Sequence, residues 1–138
     1  MIGRTNTLAI WIRYGARAGF VVALLAVIYL SVAPQTTSAF PDVSDKIQHA
    51  FAYFVLTMLG LLSFPQQKAL AVLAVALIVL GCGLEGVQAM VPGRVPAGSD
   101  IVANTAGVLI GLLLAAIARR LLFSARACDK RLAQGAGK

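Results

Sequence analysis

Three short polar sets interrupt an otherwise apolar chain: Asp45-Lys46-x-x-His49-x-x-x-Tyr53, then Glu85-x-x-Gln88 with Arg94 beyond it, then Asp100-x-x-x-Asn104. Their side chains are those of proton transfer, ion pairing and anion binding. On a helix, Asp45 and His49 share a face one turn apart, and Tyr53 continues near that face one turn further in. A carboxylate beside an imidazole can orient it for acid or base work. Glu85 and Gln88 are neighbours on a helix surface, and Asp100 and Asn104 repeat the one-turn spacing. Arg94 is a natural partner for Glu85, for Asp100 or for an external anion. Each piece also has a plainer reading. Ser44 or Asp45 can cap a helix and complement its dipole, Glu85 can join two helices by a hydrogen bond, and Arg94 can be an exposed loop residue.

The background against which these residues stand is the stronger signal. Of 138 residues, 59% are hydrophobic and only 12% are charged, and the mean hydropathy is +0.86. A soluble domain carries about 25% charged residues, and a soluble fold of this size has too little interior to hide so much apolar surface. That excludes a disordered chain, a basic nucleic-acid-binding domain and an ordinary soluble enzyme. It leaves an all-α polytopic membrane protein of one domain.

Four stretches are long enough to cross a hydrocarbon core of roughly 30 Å at about 1.5 Å per helical residue: about 14–33, 45–64, 67–90 and 100–122. Pro34, Pro41, Pro65, Pro92 and Pro96 all fall between them, as expected of a residue that breaks helices. Residues 1–123 therefore read as a four-helix transmembrane domain, and 124–138 as a basic, frayed tail. The short turn from Ser63 to Gln67 makes a helical hairpin of the second and third spans.

The formal net charge is +7. With four spans both termini share a side. Arg4, Arg13, Arg17, Lys68, Arg119, Arg120, Arg126, Lys130, Arg131 and Lys138 fall on that side, against Lys46 and Arg94 opposite. The positive-inside rule then places both termini in the cytoplasm. A cleaved leader is the alternative for the first span, with Thr37-Ser38-Ala39 as a cleavage site and three spans remaining. No aromatic residues alternate with the tail cations to stack on bases, so no nucleic-acid partner is expected. Cys82 lies inside an apolar run and Cys128 in the tail, without metal-ligand spacing; Cys82 reads as a small packing residue.

An ionisable group inside a span costs roughly 2.5–3.5 kcal/mol or more. Yet Asp45, His49, Glu85, Gln88, Arg94, Asp100 and Asn104 all fall within about two turns of the outer surface. Asp100, Asn104, Gly107 and Gly111 form one stripe, with polar groups at its outer end and a GxxxG pair that permits close helix approach. A pocket converging beneath the outer face explains the shared depth.

Taken in order, Asp45-Lys46-x-x-His49-x-x-x-Tyr53, Glu85-x-x-Gln88-x-x-x-Pro92-x-Arg94 and Asp100-x-x-x-Asn104-x-x-Gly107 resemble the VanZ-like family. The resemblance implies a small multi-pass protein of the bacterial plasma membrane. The family is named for a member associated with teicoplanin resistance; that is a phenotype rather than a reaction, and resistance is not assigned to this chain.

The expected function is binding, without catalysis, of a polar or anionic cell-envelope component. Membrane lipids, including an anionic or lipid-linked head group, would suit Lys46, Arg94 and the hydrogen-bonding groups. One alternative is an accessory subunit with membrane-protein partners. Another is an intramembrane acid/base enzyme acting on a lipid-linked substrate, with Asp45 orienting His49 and Glu85 as a second acid or base. Ser44 and Ser99 are nearby but lack a nucleophile-elbow context. One histidine with carboxylates is not a recognised ligand spacing, so neither metal nor cofactor is expected. No span is broken midway by proline, which argues against a transporter.

Overall fold

Helices run wherever proline leaves the main-chain donors uninterrupted. In a computed structural model the chain forms α1 (Gly3–Val32), α2 (Asp45–Ser63), α3 (Gln67–Gln88) and α4 (Gly98–Gly135). The structure describes residues 3–33, 43–64, 66–92 and 97–135, and no strand occurs among them. Two helices exceed the expected stretches. α1 begins at Gly3 rather than near Tyr14, and α4 continues to Gly135, so residues 124–135 are helix and not a frayed tail. The segment from Ser124 to Gln134 contains neither Gly nor Pro and is rich in Ala, Arg, Lys and Leu, all favourable helix formers.

Ile10–Val32, Gln67–Gln88 and Gly98–Ala118 are each long and apolar enough to cross a membrane. α2 is not among these three, because Asp45, Lys46, Gln48 and His49 occupy its first two turns. The exposed surface is that of a membrane protein. Val21, Val22 and Leu25 on α1, Val72, Val75 and Val79 on α3, and Leu109, Ile110 and Leu113 on α4 face outward. The interior, by contrast, holds Thr57, Ser63, Glu85, Gln88, Asp100 and Asn104. Cys82 also faces outward and does not pack in the core.

Three hydroxyl groups along the helices are satisfied locally. Thr57, Ser63 and Thr105 each donate to the carbonyl four residues earlier, at 2.8, 2.7 and 2.8 Å. No interhelical partner is needed for them in an apolar surrounding.

The helices alternate in direction. The Arg17 guanidinium of α1 lies 5.7 Å from the centre of the Phe64 ring at the end of α2, and Gly19 faces Leu59. At the opposite end the start of α2 meets the start of α4, through His49 and Asn104. α2 is the central element and packs most extensively against α4. The core consists of Tyr53, Leu56, Ala74, Leu77 and Val108, with Phe20, Leu24, Val27 and Leu73 packed around it.

The α2–α4 crossing depends on two glycines. A Cβ on Gly107 would run into the Ala50 carbonyl oxygen and come within 3.0 Å of the Phe54 amide nitrogen, both main-chain atoms of α2. A Cβ on Gly111 would come within 2.8 Å of Thr57 Cβ and Cγ2. Backbone cannot turn aside as a side chain can. Gly107→Ala is therefore expected to destabilise the bundle by about 1–3 kcal/mol, the range for overpacking. Gly83 and Gly86 have open space where a Cβ would go, so alanine at either should be neutral or slightly stabilising through helix propensity. Thermal unfolding in detergent, followed by circular dichroism, compares the three variants.

Candidate functional site

The polar cluster forms where the starts of α2 and α4 meet the end of α3. Asp45 and Asp100 both lie in the first turn of their helices, where negative charge is favoured by the helix dipole. His49 follows Asp45 by one turn and Asn104 follows Asp100 by one turn. Because Gly107 lets the two helices approach closely, these turns face each other.

His49 is the centre of the cluster. Its Nδ1 lies 3.1 Å from Asn104 Oδ1. An amide oxygen can only accept, so Nδ1 carries the proton in this contact. Its Nε2 faces two carboxylates, 3.8 Å from Asp45 Oδ2 and 4.0 Å from Asp100 Oδ2. Both separations are too long for hydrogen bonds. The Asp45 side chain is 62% exposed, while those of His49 and Asp100 are 13% and 9% exposed. The cluster is thus exposed at Asp45 and largely buried at His49 and Asp100. Ser99 Oγ donates to the other Asp100 oxygen at 3.4 Å.

Tyr53 lies one turn below His49 and is buried, with no hydrogen-bond partner for its hydroxyl among the described residues. A Cβ on Gly81 would lie 3.2 Å from that hydroxyl and 3.0 Å from Asn104 Nδ2. Gly81 therefore gives both groups their room. It was not singled out as a site residue in the sequence, although a signal existed: Gly81, Glu85 and Gln88 share one face of α3.

Glu85 and Gln88 are buried at the end of α3. The Ala97 main-chain N–H donates to Glu85 Oε1 at 2.6 Å. The carboxylate thereby tethers the residue that precedes α4 to the last turns of α3, and so sets where α4 begins. This main-chain partner could not be read from side-chain types. Lys46 is exposed in the first turn of α2. Arg94, the expected partner of Glu85, lies outside the described residues. Of the anticipated set, the structure brings Asp45, His49, Asp100 and Asn104 into one constellation with Tyr53 beneath it, and places Glu85 at the loop beside them.

Removing the Glu85 acceptor leaves the Ala97 N–H without its partner. Glu85→Ala is expected to cost about 1–3 kcal/mol, the range for a buried polar group left unsatisfied. Glu85→Gln keeps an acceptor oxygen and should cost less than half of that. Equilibrium unfolding in mixed micelles measures both.

The family model described as VanZ/LLP1 matches residues 20–119, a segment containing the whole cluster. No curated protein and no solved structure matches the chain.

Proposed function

The chain belongs to the VanZ/LLP1 family, and on that premise we propose that it is a bacterial plasma-membrane protein that binds the polar head of a cell-envelope lipid without catalysis. In this reading all four helices cross the bilayer and both termini lie in the cytoplasm. α2 crosses despite its polar first turns because His49 faces α4, while the exposed Asp45 and Lys46 lie at the very end of the span, within reach of the head-group region. The cluster then lies beneath the outer face, as the distribution of Lys and Arg favours.

The observation that carries the proposal is the convergence of Asp45, His49, Asp100 and Asn104 at one end of the bundle, exposed at Asp45 and largely buried at His49 and Asp100. Groups needed only to hold helices together would be satisfied by their neighbours, as Thr57, Ser63 and Thr105 are. Here the imidazole faces two carboxylates without a hydrogen bond to either, and the Tyr53 hydroxyl has no partner among the described residues. Buried polar groups without partners are costly. A polar ligand reaching this end supplies partners while its acyl chains remain in the bilayer.

Native mass spectrometry of the full chain, extracted in several mild detergents, tests the proposal. A lipid adduct is expected on the wild type, lost or reduced at least tenfold in His49→Ala and Asp100→Asn, and retained in Gly83→Ala. Wild-type protein without an adduct in any of the detergents refutes it.

A further inference from the structure

Asp45, His49 and Asp100 each present one donor atom, and these atoms all lie within 4.8 Å of one another. We infer that they form a divalent-metal site, with Zn²⁺ or Mn²⁺ as the ion. The site itself rests on side-chain geometry alone; its use in holding a head group rests on the reading above.

Three observations point the same way. First, Nε2 stands 3.8 and 4.0 Å from the two carboxylate oxygens. Donors bound to one ion at about 2.0–2.2 Å are separated by roughly 2.8–3.6 Å at octahedral or tetrahedral angles. With all three donor atoms within 4.8 Å of one another, a contraction on the order of 1 Å or less closes the set, and the exposed Asp45 side chain is placed to make most of it. Second, the imidazole is already held as a ligand would be. Asn104 Oδ1 accepts from Nδ1–H at 3.1 Å, which fixes the ring with Nε2 on the side of the two carboxylates. Holding the other ring nitrogen by a hydrogen bond is the outer-shell support that orients a metal-bound histidine. Third, Tyr53, buried and with no hydrogen-bond partner for its hydroxyl among the described residues, follows His49 by one turn on α2. A hydroxyl there can serve a ligand or a water that the ion brings with it.

The donor set is one neutral nitrogen with two carboxylates. That combination suits a borderline or hard divalent ion, and two negative charges match its own. Three protein ligands leave at least one coordination position open, the arrangement of sites that bind a further ligand rather than purely structural ones. The open position is on the Asp45 side, where the cluster is exposed. An anionic oxygen, such as a lipid phosphate, can occupy it. The ion thus removes a difficulty in the head-group reading, because the cluster alone is acidic and would repel an anion.

The test uses the full-length chain without a polyhistidine tag, in mild detergent, carrying Cys82→Ser and Cys128→Ser so that no thiol competes. After EDTA stripping it is titrated separately with Zn²⁺ and Mn²⁺, and metal content is measured after gel filtration. Co²⁺ gives an independent readout through its visible ligand-field bands. One ion per chain is expected. His49→Ala and Asp100→Ala should abolish it, and Asn104→Ala should weaken it by about 10–100-fold, the usual effect of losing an outer-shell partner. Asp45→Asn changes an exposed side chain outside the core, so its weakened binding decides the question should either buried variant fail to fold. Absence of binding by the wild type at tens of micromolar Zn²⁺, Mn²⁺ and Co²⁺ overturns the site, as does undiminished binding by folded Asp45→Asn and His49→Ala. A lipid adduct surviving alongside either result overturns the metal alone and leaves the head-group reading standing.

Discussion

The close approach of α2 and α4 is the constraint on which the rest depends. Without side chains at Gly107 and Gly111, α4 rests on the main chain of α2 at Ala50 and on Thr57. The separation of two helices at one crossing determines how far apart their side chains are one or two turns away. That crossing puts Asn104 within hydrogen-bond distance of His49 and Asp100 opposite the imidazole. A bulkier residue at either glycine would widen the gap and separate these groups, even though neither glycine touches the cluster.

Polarity in this protein is sorted by depth as well as by face. Along the length of the bundle the hydroxyls of Thr57, Ser63 and Thr105 are satisfied within their own helices. The buried carboxylates Glu85 and Asp100, the His49 imidazole and the buried amides Gln88 and Asn104 lie instead at one end, where α2 and α4 begin and α3 finishes. Two helix starts there favour Asp45 and Asp100, and the ending of α3 allows Glu85 to take the N–H of Ala97. Helix ends are where main-chain donors lack internal partners, so a helical bundle in lipid can collect polar side chains there at least cost. The outward face, with its Val, Leu and Ile residues, requires only apolar surroundings.

Glu85 and His49 have different parts in this arrangement. The Glu85 carboxylate has a main-chain partner and shapes the connection into α4. The imidazole has one nitrogen held and the other directed at two carboxylates it does not touch. The first is a structural link; the second is an incomplete coordination that a cation would complete.

Much of this was legible in the chain itself. Hydropathy and the positions of the prolines separate the four helices, and one-turn spacing pairs Asp45 with His49 and Asp100 with Asn104, because helical periodicity is a local property. The glycine stripe on α4 marks a face that must be approached closely, for the same reason. α4 extends past Leu122 to Gly135, where polarity alone suggests a frayed tail, because a polar tail can be helical when its residues favour helix and nothing breaks it. What distance in sequence concealed was which faces meet. That His49 finds Asp100 and Asn104, 51 and 55 residues on, that Glu85 serves a main-chain amide, and that Gly81 makes room for Tyr53 all depend on how the helices cross. Spacing along one helix places two possible ligands on a face; only packing between helices, set by two missing side chains, brings the third beside them.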